Sequence, residues 1–395
     1  MATHIAIGSS QTVDTLTATK EAAQKIKSSL QSTKPDLVLI FSTIHHDPDT
    51  IAQAIDNLFP GSKAIGCSSA GIIFSEKIMT NGIGILAIAS DEMKFGIGAV
   101  SDITPTNIRM AGSDLAKNIV ADFGQHGRHV CLFFIDGEIA DSSLLLKGVQ
   151  EVLGNVFPLV GAGSCDDFHF KKNFQIFGSQ ALEMSACGLI MGGQMSVGVS
   201  GRHGWRPLGK PRVITQAEGN IIKTIDGKKA SHLYEEYFDE AYQDLRATQL
   251  GQMSILYPLG IFIEESNHFL LRNAIDILED GSIVCQGGVP DGSEVHIMIG
   301  NKDSCKEAAS EAAQEAHNNL LGKKAKLVII IESMSRLKLL GRGAILEIAK
   351  IREIFGQDIP VFGMYAHGEI CPFESVERIK KPYLQNESMV VLAVN

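Results

Sequence analysis

The sequence has no hydrophobic run close to the roughly 20 residues that a membrane-spanning helix requires, so its 395 residues predict a chain that does not cross a bilayer. It has no positive excess either. Lys and Arg number 35 against 45 Asp and Glu, for a formal net charge of −10. That balance repels phosphate backbones and anionic lipid, and argues against nucleic acid or a membrane surface as a partner. Paired cysteines are missing: seven lie scattered at positions 67, 131, 165, 187, 285, 305 and 371, with no Cys-x-x-Cys. The scatter argues against a zinc knuckle or a disulfide framework and predicts a reducing compartment. The opening residues, Met1-Ala-Thr-His-Ile-Ala-Ile-Gly-Ser-Ser10, lack the basic start and apolar core of a secretion signal, so a cytoplasmic location is expected. No Gly-x-x-x-x-Gly-Lys-Ser/Thr loop, His-Glu-x-x-His or Gly-x-Ser-x-Gly occurs. Gly161-Ala-Gly163 lacks the third glycine of a dinucleotide fingerprint.

What is present is an ordinary globular composition, 45% apolar and 20% charged, long enough for two or more domains. A unit recurs three times, over His4–Ser90, Lys94–Gly201 and Glu294–Asn395. Each copy opens on a short strand: His4-Ile-Ala-Ile-Gly, Lys94-Phe-Gly-Ile-Gly and Val295-His-Ile-Met-Ile-Gly300. A helix follows, then an apolar strand: Leu37-Val-Leu-Ile-Phe, Val130-Cys-Leu-Phe-Phe and Leu327-Val-Ile-Ile-Ile. A second helix leads to a glycine-bearing strand end at Gly66, Gly161 and Gly363. Ala22, Ala23, Ile26 and Leu30, like Leu115, Ala116, Ile119 and Phe123, form helical stripes that must pack on sheets. Pro60, Pro158 and Pro360 close the second helices. The pattern predicts an α/β fold of repeated β-α-β-α-β-β units, with layered mixed sheets flanked by helices in two domains, residues 1–215 and 216–395. The stretch from about Arg202 to Asp291 is different in kind and carries an Asp226-Gly227 hairpin turn.

Several segments together resemble a known family. These are Asp226-Gly227, Leu271-Arg272, Gly363-Met-Tyr-Ala-His-Gly-Glu-Ile-Cys-Pro372 and Asn386-Glu-Ser388, with Gly66-Cys-Ser-Ser-Ala-Gly71 and Gly161-Ala-Gly-Ser-Cys-Asp-Asp167 upstream. The chain is similar to the FIST proteins over residues 30–390, and Gly-Glu-x-x-Pro is the most specific element. The resemblance implies an N-terminal and a C-terminal FIST domain in an intracellular sensory protein that binds a small ligand, with amino acids proposed. Some similar members bind haem and sense nitric oxide. Members are often fused to kinase, cyclase, chemoreceptor or F-box segments. This sequence has no room for one, so a separate signalling protein such as a kinase or cyclase is the expected partner. Where the family often has Cys-x-x-Arg, the chain reads Ser333-Met-Ser-Arg336.

The loops after the third strand of each unit are the candidate binding elements, because glycines there admit a ligand close to backbone amides. Tight turning alone is the other reading. Cys67 and Ser68 lie in the first loop. Cys67 as a nucleophile requires a lowered thiol pKa and a nearby base, and a small buried residue at a strand end is the plainer assignment. In the second loop, Ser164, Asp166 and Asp167 offer polar groups, with turn capping as the alternative for the aspartates. In the third, Tyr365, His367 and Glu369 share one side of an extended segment. A metal there lacks a third ligand, so no metal is expected. Arg272 sits among apolar residues and calls for a carboxylate, from a ligand or from the protein. Twelve histidines leave haem possible without selecting an axial residue.

The resulting expectation is a non-enzymatic sensor. Arg272 and Glu369 would hold opposite charges on a small polar or amino-acid-like ligand, and Tyr365, His367 and Asp167 would add hydrogen bonds in a hollow shared by the glycine turns. A haem-based nitric-oxide sensor and a thiol enzyme using Cys67 are the alternatives.

Overall fold

The computed structural model describes residues 3–139, 141–169, 172–238, 256–264, 268–374 and 380–395. The first unit runs β1 (His4–Ser10), α1 (Thr15–Ser29), β2 (Leu37–Ser42), α2 (Pro48–Leu58), β3 (Lys63–Ser68), β4 (Ile72–Phe74), β5 (Ile78–Met79) and β6 (Ile83–Ala89). The second repeats that order: β7 (Met93–Val100), α3 (Ile108–Phe123), β8 (Arg128–Ile135), α4 (Ser142–Leu153), β9 (Leu159–Gly163), β10 (Gln175–Phe177), β11 (Gln180–Leu182) and β12 (Ala186–Gly193). The third starts with β13 (Val197–Arg202) and is interrupted by β14 (Arg206–Glu218), β15 (Ile221–Ile225), β16 (Lys228–Lys229), α5 (His232–Phe238), β17 (Leu259–Ile263), β18 (His268–Arg272), β19 (Ala274–Ile277), β20 (Ile283–Cys285) and β21 (Glu294–Ile299). It then resumes with α6 (Lys302–Asn319), β22 (Leu327–Ser333), α7 (Met334–Leu340), α8 (Ile345–Phe355), β23 (Val361–Ala366), β24 (Glu369–Glu374), β25 (Lys380–Gln385) and β26 (Met389–Val394).

Helix starts follow local chemistry. Asp14 accepts the Thr17 N–H at 2.8 Å, and Asp47 accepts that of Thr50 at 2.9 Å with Pro48 opening the helix. Asn301 caps α6 through Asp303 and Ser304. Each cap satisfies a backbone donor that the helix itself cannot.

The strands assemble into three matching six-stranded mixed sheets: β1-β6-β2-β3-β10-β11, β7-β12-β8-β9-β24-β25 and β13-β26-β22-β23-β4-β5. In each, the central pair is parallel and its neighbours are antiparallel. The outer hairpin of every sheet comes from another unit. Unit two supplies β10–β11 to the first sheet, unit three supplies β24–β25 to the second, and unit one supplies β4–β5 to the third. No unit can complete its sheet alone, so the three fold as one body. Their inner faces share a core in which Phe41 meets Phe134 edge-on at 5.5 Å and stacks on Phe362 at 5.0 Å, one ring from each sheet. Helices cover the outer faces, where the alanine stripes of α1 and α6 are buried.

One strand takes a different place from the expected one. Val295–Ile299, which reads in sequence as the opening strand of the third unit, pairs as β21 with β14 and β17 in a separate inserted sheet, ordered β18-β17-β21-β14-β15-β20-β19. The opening strand is β13, in register with β26. Gly198 explains the choice. A Cβ there would come within 1.9 Å of the Ala316 carbonyl oxygen, just as one at Gly8 would come within 2.1 Å of that of Ala22. Only a strand with glycine at that point lets the covering helix settle this close. The second unit accordingly ends at β12, and the inserted sheet stands between β13 and α6. Its Asp226 and Gly227 both take left-handed backbone, φ 50° and 73°, as the Asp-Gly turn requires.

Candidate functional site

The three glycine-bearing turns do converge, and they close on one another. The Ala70 N–H donates to the Tyr365 carbonyl at 3.2 Å, and the His367 N–H donates to that of Gly163 at 2.9 Å. The Cys165 thiol also donates to the Tyr365 carbonyl, at 3.1 Å. Ser68 exchanges bonds with the Phe174 backbone, its Oγ accepting at 3.1 Å. Ser164 Oγ bonds Asn173 at 2.7 Å and accepts from Gln175 Nε2 at 2.6 Å. These polar groups are satisfied by protein, so the junction locks the units together. Cys67 is sealed in the core with its sulfur 3.6 Å from that of Met364. Burial, with Cys187 and Cys165 nearby, pushes its thiol well above the usual range. An inaccessible, protonated thiol is no nucleophile.

The other candidates separate. Asp166 caps the His169 N–H at 2.9 Å. Asp167 is partly exposed, 3.9 Å from both His45 and His169. His367 lies 3.3 Å from the Gly137 carbonyl, and burial lowers its pKa to about 4, so the ring is neutral. Arg272 is buried, and among the described residues no carboxylate is in salt-bridge contact with it, although Asp141 is near enough to favour its charge. Its guanidinium donates to the carbonyls of Gly288 (3.0 Å), Leu271 (2.8 Å) and Leu384 (3.1 Å).

Tyr365 and Glu369 belong instead to a chamber at the end of the third sheet that sequence reasoning did not assemble. Glu332 is near the end of β22, Arg336 lies in α7, Glu347 in the first turn of α8, Tyr365 in β23 and Glu369 opens β24. Glu387 joins them from the β25–β26 connection. All six are fully buried. Arg336 donates to the carbonyls of His203 (2.6 Å), Cys305 (2.8 Å) and Glu387 (3.4 Å) and to the Glu347 carboxylate. Its Nε lies 3.5 Å from Glu332. Glu387 holds φ at 61°, a left-handed conformation that costs a non-glycine residue about 1–2 kcal/mol. Such strain persists only where surrounding structure enforces it.

One guanidinium faces four carboxyl groups here: Glu332 is within reach of Tyr365 and Glu347, and Glu387 of Asn273 and Ser335, while one oxygen of Glu369 is buried with no hydrogen-bond partner. Both ends of the Gln385 amide are buried without partners as well. Burial and the Glu347 charge push the Glu332 carboxyl well above its usual range. Burial also raises Glu369, with Glu387 adding to the effect, and lifts Glu387 to about 8 despite Asn273, Ser335 and Arg336. Ionisable groups are rarely fully buried unless paired, so four buried carboxyl groups gathered around one guanidinium are unusual for an interior.

The repeat shows that the chamber is specific to one unit. In the third sheet Glu332 and Tyr365 are register partners; the matching pairs are Ser42 with Ser68 and Ile135 with Gly163. Two units put small or apolar residues where the third puts a carboxylate and a phenol. A charge following Ile329-Ile-Ile331 in an otherwise apolar strand, with Arg336 four residues on, was the available sequence signal.

Residues 36–228 match the FIST N domain and residues 230–372 the FIST C domain. The chain belongs to the FIST family. FIST domains are associated with sensory signal transduction and ligand binding. The FIST chain is 25% identical over 284 residues to the uncharacterized protein MJ1623 of Methanocaldococcus jannaschii, a match covering 66% of this chain and 54% of that one. It thus spans about half the length of that relative. Among solved structures, cyanuric acid hydrolase from A. caulinodans aligns over 100% of this chain and 99% of its own at 8% identity, with a TM-score of 0.38. PurLQS from Thermotoga maritima aligns over 99% and 72% at 8% identity, with a TM-score of 0.24. Among the described residues, no helix is long and apolar enough to cross a membrane.

Haem, which the resemblance left possible, does not fit the cavity where His203 and His268 lie. That space, about 290 Å³, is lined by Arg202, His203, Arg206, His268, Glu307 and Glu311 among others, whereas a porphyrin needs a largely apolar slot toward the upper end of the roughly 300–1,000 Å³ range of ligand pockets. His203 accepts the Trp205 N–H at 2.9 Å and also meets the Phe269 backbone, which leaves no ring nitrogen for iron.

Proposed function

We propose that this FIST protein is a non-enzymatic sensory module that holds a small polar ligand in the chamber around Arg336, and that a separate signalling protein reads the occupied state. The observation carrying this reading is the gathering of four fully buried carboxyl groups, one guanidinium and a phenol in one unit only, with Glu387 held in left-handed backbone. Leaving a buried polar group unpaired costs about 1–3 kcal/mol, so an occupant that pairs the open Glu369 oxygen and the Gln385 amide would gain affinity there.

The chamber also touches a second body. The Asn273 N–H, at the junction of β18 and β19, donates to Asn386 Oδ1 at 3.0 Å, and Asn273 lies beside Glu387. A ligand that repositions Glu387 therefore acts on the inserted sheet, which gives the occupied and empty states different surfaces. The sealed, protonated Cys67 speaks against thiol catalysis.

Native mass spectrometry of the full chain tests the reading, with thermal-shift measurements against a panel of polar metabolites. A bound small molecule, or a ligand-dependent rise in Tm lost in Glu387→Gln, is expected. A protein that arrives empty and responds to no member of the panel would overturn it.

A further inference from the structure

We infer that the cavity between α6 and the β13–β14 connection is a second ligand site, separate from the chamber around Arg336. Its occupant is a neutral, planar heteroaromatic molecule of the nucleobase type.

Three observations lead there. First, the space is open and of ligand size. It measures about 290 Å³, close to the lower end of the roughly 300–1,000 Å³ range of ligand pockets, so it takes a small molecule. His203, Gly204 and Trp205 of the connection form one wall, and Ser304, Glu307 and Glu311 of α6 form another. None of the chamber's four carboxyl groups lines it.

Second, the lining is rich in rings. Trp205 and Phe373 are both buried, and His268, whose ring centre is 5.5 Å from that of Phe373, lines the cavity with them. Burial lowers the pKa of His268, with Arg202 adding to the effect, so its imidazole is neutral. Aromatic walls favour a flat π-face, which every base offers.

Third, the charges around the cavity are balanced and divided between its walls. Arg206 lies 3.4 Å from Glu307, while Arg202 donates to Glu315 at 2.5 Å and has Glu311 4.0 Å away. A ligand with net charge meets like and opposite charges together and gains little from either. Guanidinium donors come from the two ends of the connection and carboxylate acceptors from successive turns of α6. The edge of a base carries N–H donors beside ring-nitrogen or carbonyl acceptors and answers both. A small aliphatic zwitterion would answer the charges and leave the rings unused.

The chain has one tryptophan, so Trp205 fluorescence reports directly on this cavity. Titrations of the full chain at neutral pH, with calorimetry alongside, use adenine, cytosine, benzoate and L-alanine as probes. At least one base should quench the fluorescence saturably and bind tenfold or more tightly than benzoate and L-alanine. Phe373→Leu should weaken that binding at least tenfold. Arg206→Ala, at an exposed position, decides if the leucine variant fails to fold, and should weaken it at least threefold. Glu387→Gln should leave it unchanged. No saturable binding of either base, bases bound no better than benzoate or L-alanine, or binding untouched by the folded variants overturns the inference. Base binding lost in Glu387→Gln also overturns it, by placing the base in the chamber, and leaves the chamber reading standing. Base binding kept in that variant supports the second site even where the chamber itself proves empty.

Discussion

Glu332 and Tyr365 face each other across the parallel β22–β23 pair, with the phenol and the carboxyl within each other's reach as donor and acceptor. Both groups are fully buried at the sheet end, so each is the other's nearest substitute for water.

Tyr365→Phe should therefore destabilise the unliganded protein by about 1–3 kcal/mol, because it leaves the buried Glu332 carboxyl without its phenol partner. Urea unfolding measures this. Unchanged stability would mean that the phenol and the carboxyl do not interact in the fold.

Arg336→Ala removes the one guanidinium that, among the described residues, lies among the four buried carboxyl groups. Breaking a buried ion pair from one side costs about 3–5 kcal/mol, and the same denaturation experiment should register a loss of that size. Arg336→Lys should recover only part of it, since one ammonium group cannot span the His203, Cys305 and Glu347 acceptors. Full stability in the alanine variant would contradict the arrangement.

The chamber should make unliganded stability depend on pH in the opposite sense to ordinary surface carboxylates. Glu387 is raised from 4.5 to about 8, and Glu332 and Glu369 are raised too. Between pH 4.5 and 8 the folded state thus binds more protons than the unfolded chain. The contribution is full below the unfolded pKa and declines as pH rises through the folded one. Tm, followed by circular dichroism from pH 5 to 8.5, should fall with rising pH, and Glu387→Gln should flatten the slope. A Tm that rises over that window would show that these carboxyls are ionised in the fold.

All seven cysteines are buried, and burial raises the thiols of Cys131, Cys165, Cys187 and Cys371 as it does that of Cys67. Iodoacetamide at neutral pH should label none of them in the folded protein within minutes and all of them in denaturant, as read by mass spectrometry. Fast labelling at Cys67 alone would reopen the thiol-enzyme reading.

Much of the fold was legible because its signals are short-range. Leu37–Phe41 reads as a strand from its apolar run, Ala22, Ala23 and Ile26 as one helix face, and Asp226-Gly227 as a turn. The candidate site was less so. Tyr365 and Glu369 were legible from their place after Gly363, but Glu332, Arg336, Glu347 and Glu387 lie up to 55 residues apart and meet only when α7, α8 and the β25–β26 connection pack over the third sheet. Arg272 misled for a related reason: a buried guanidinium demands acceptors, and which acceptors are at hand depends on remote backbone, here Gly288 and Leu384.

The sequence by itself determined the element types, the threefold repetition and the family, since periodicity, caps and glycine positions are written over a few residues at a time. Tertiary structure decided that β13 rather than β21 opens the third sheet, that each sheet borrows a hairpin from another unit, and that one unit alone carries a buried acidic chamber. Apolar strands of similar length are interchangeable in local pattern. Their partners are selected by close approaches such as Gly198 beneath Ala316, and a carboxylate becomes costly, and therefore informative, only once the whole fold has taken it out of water.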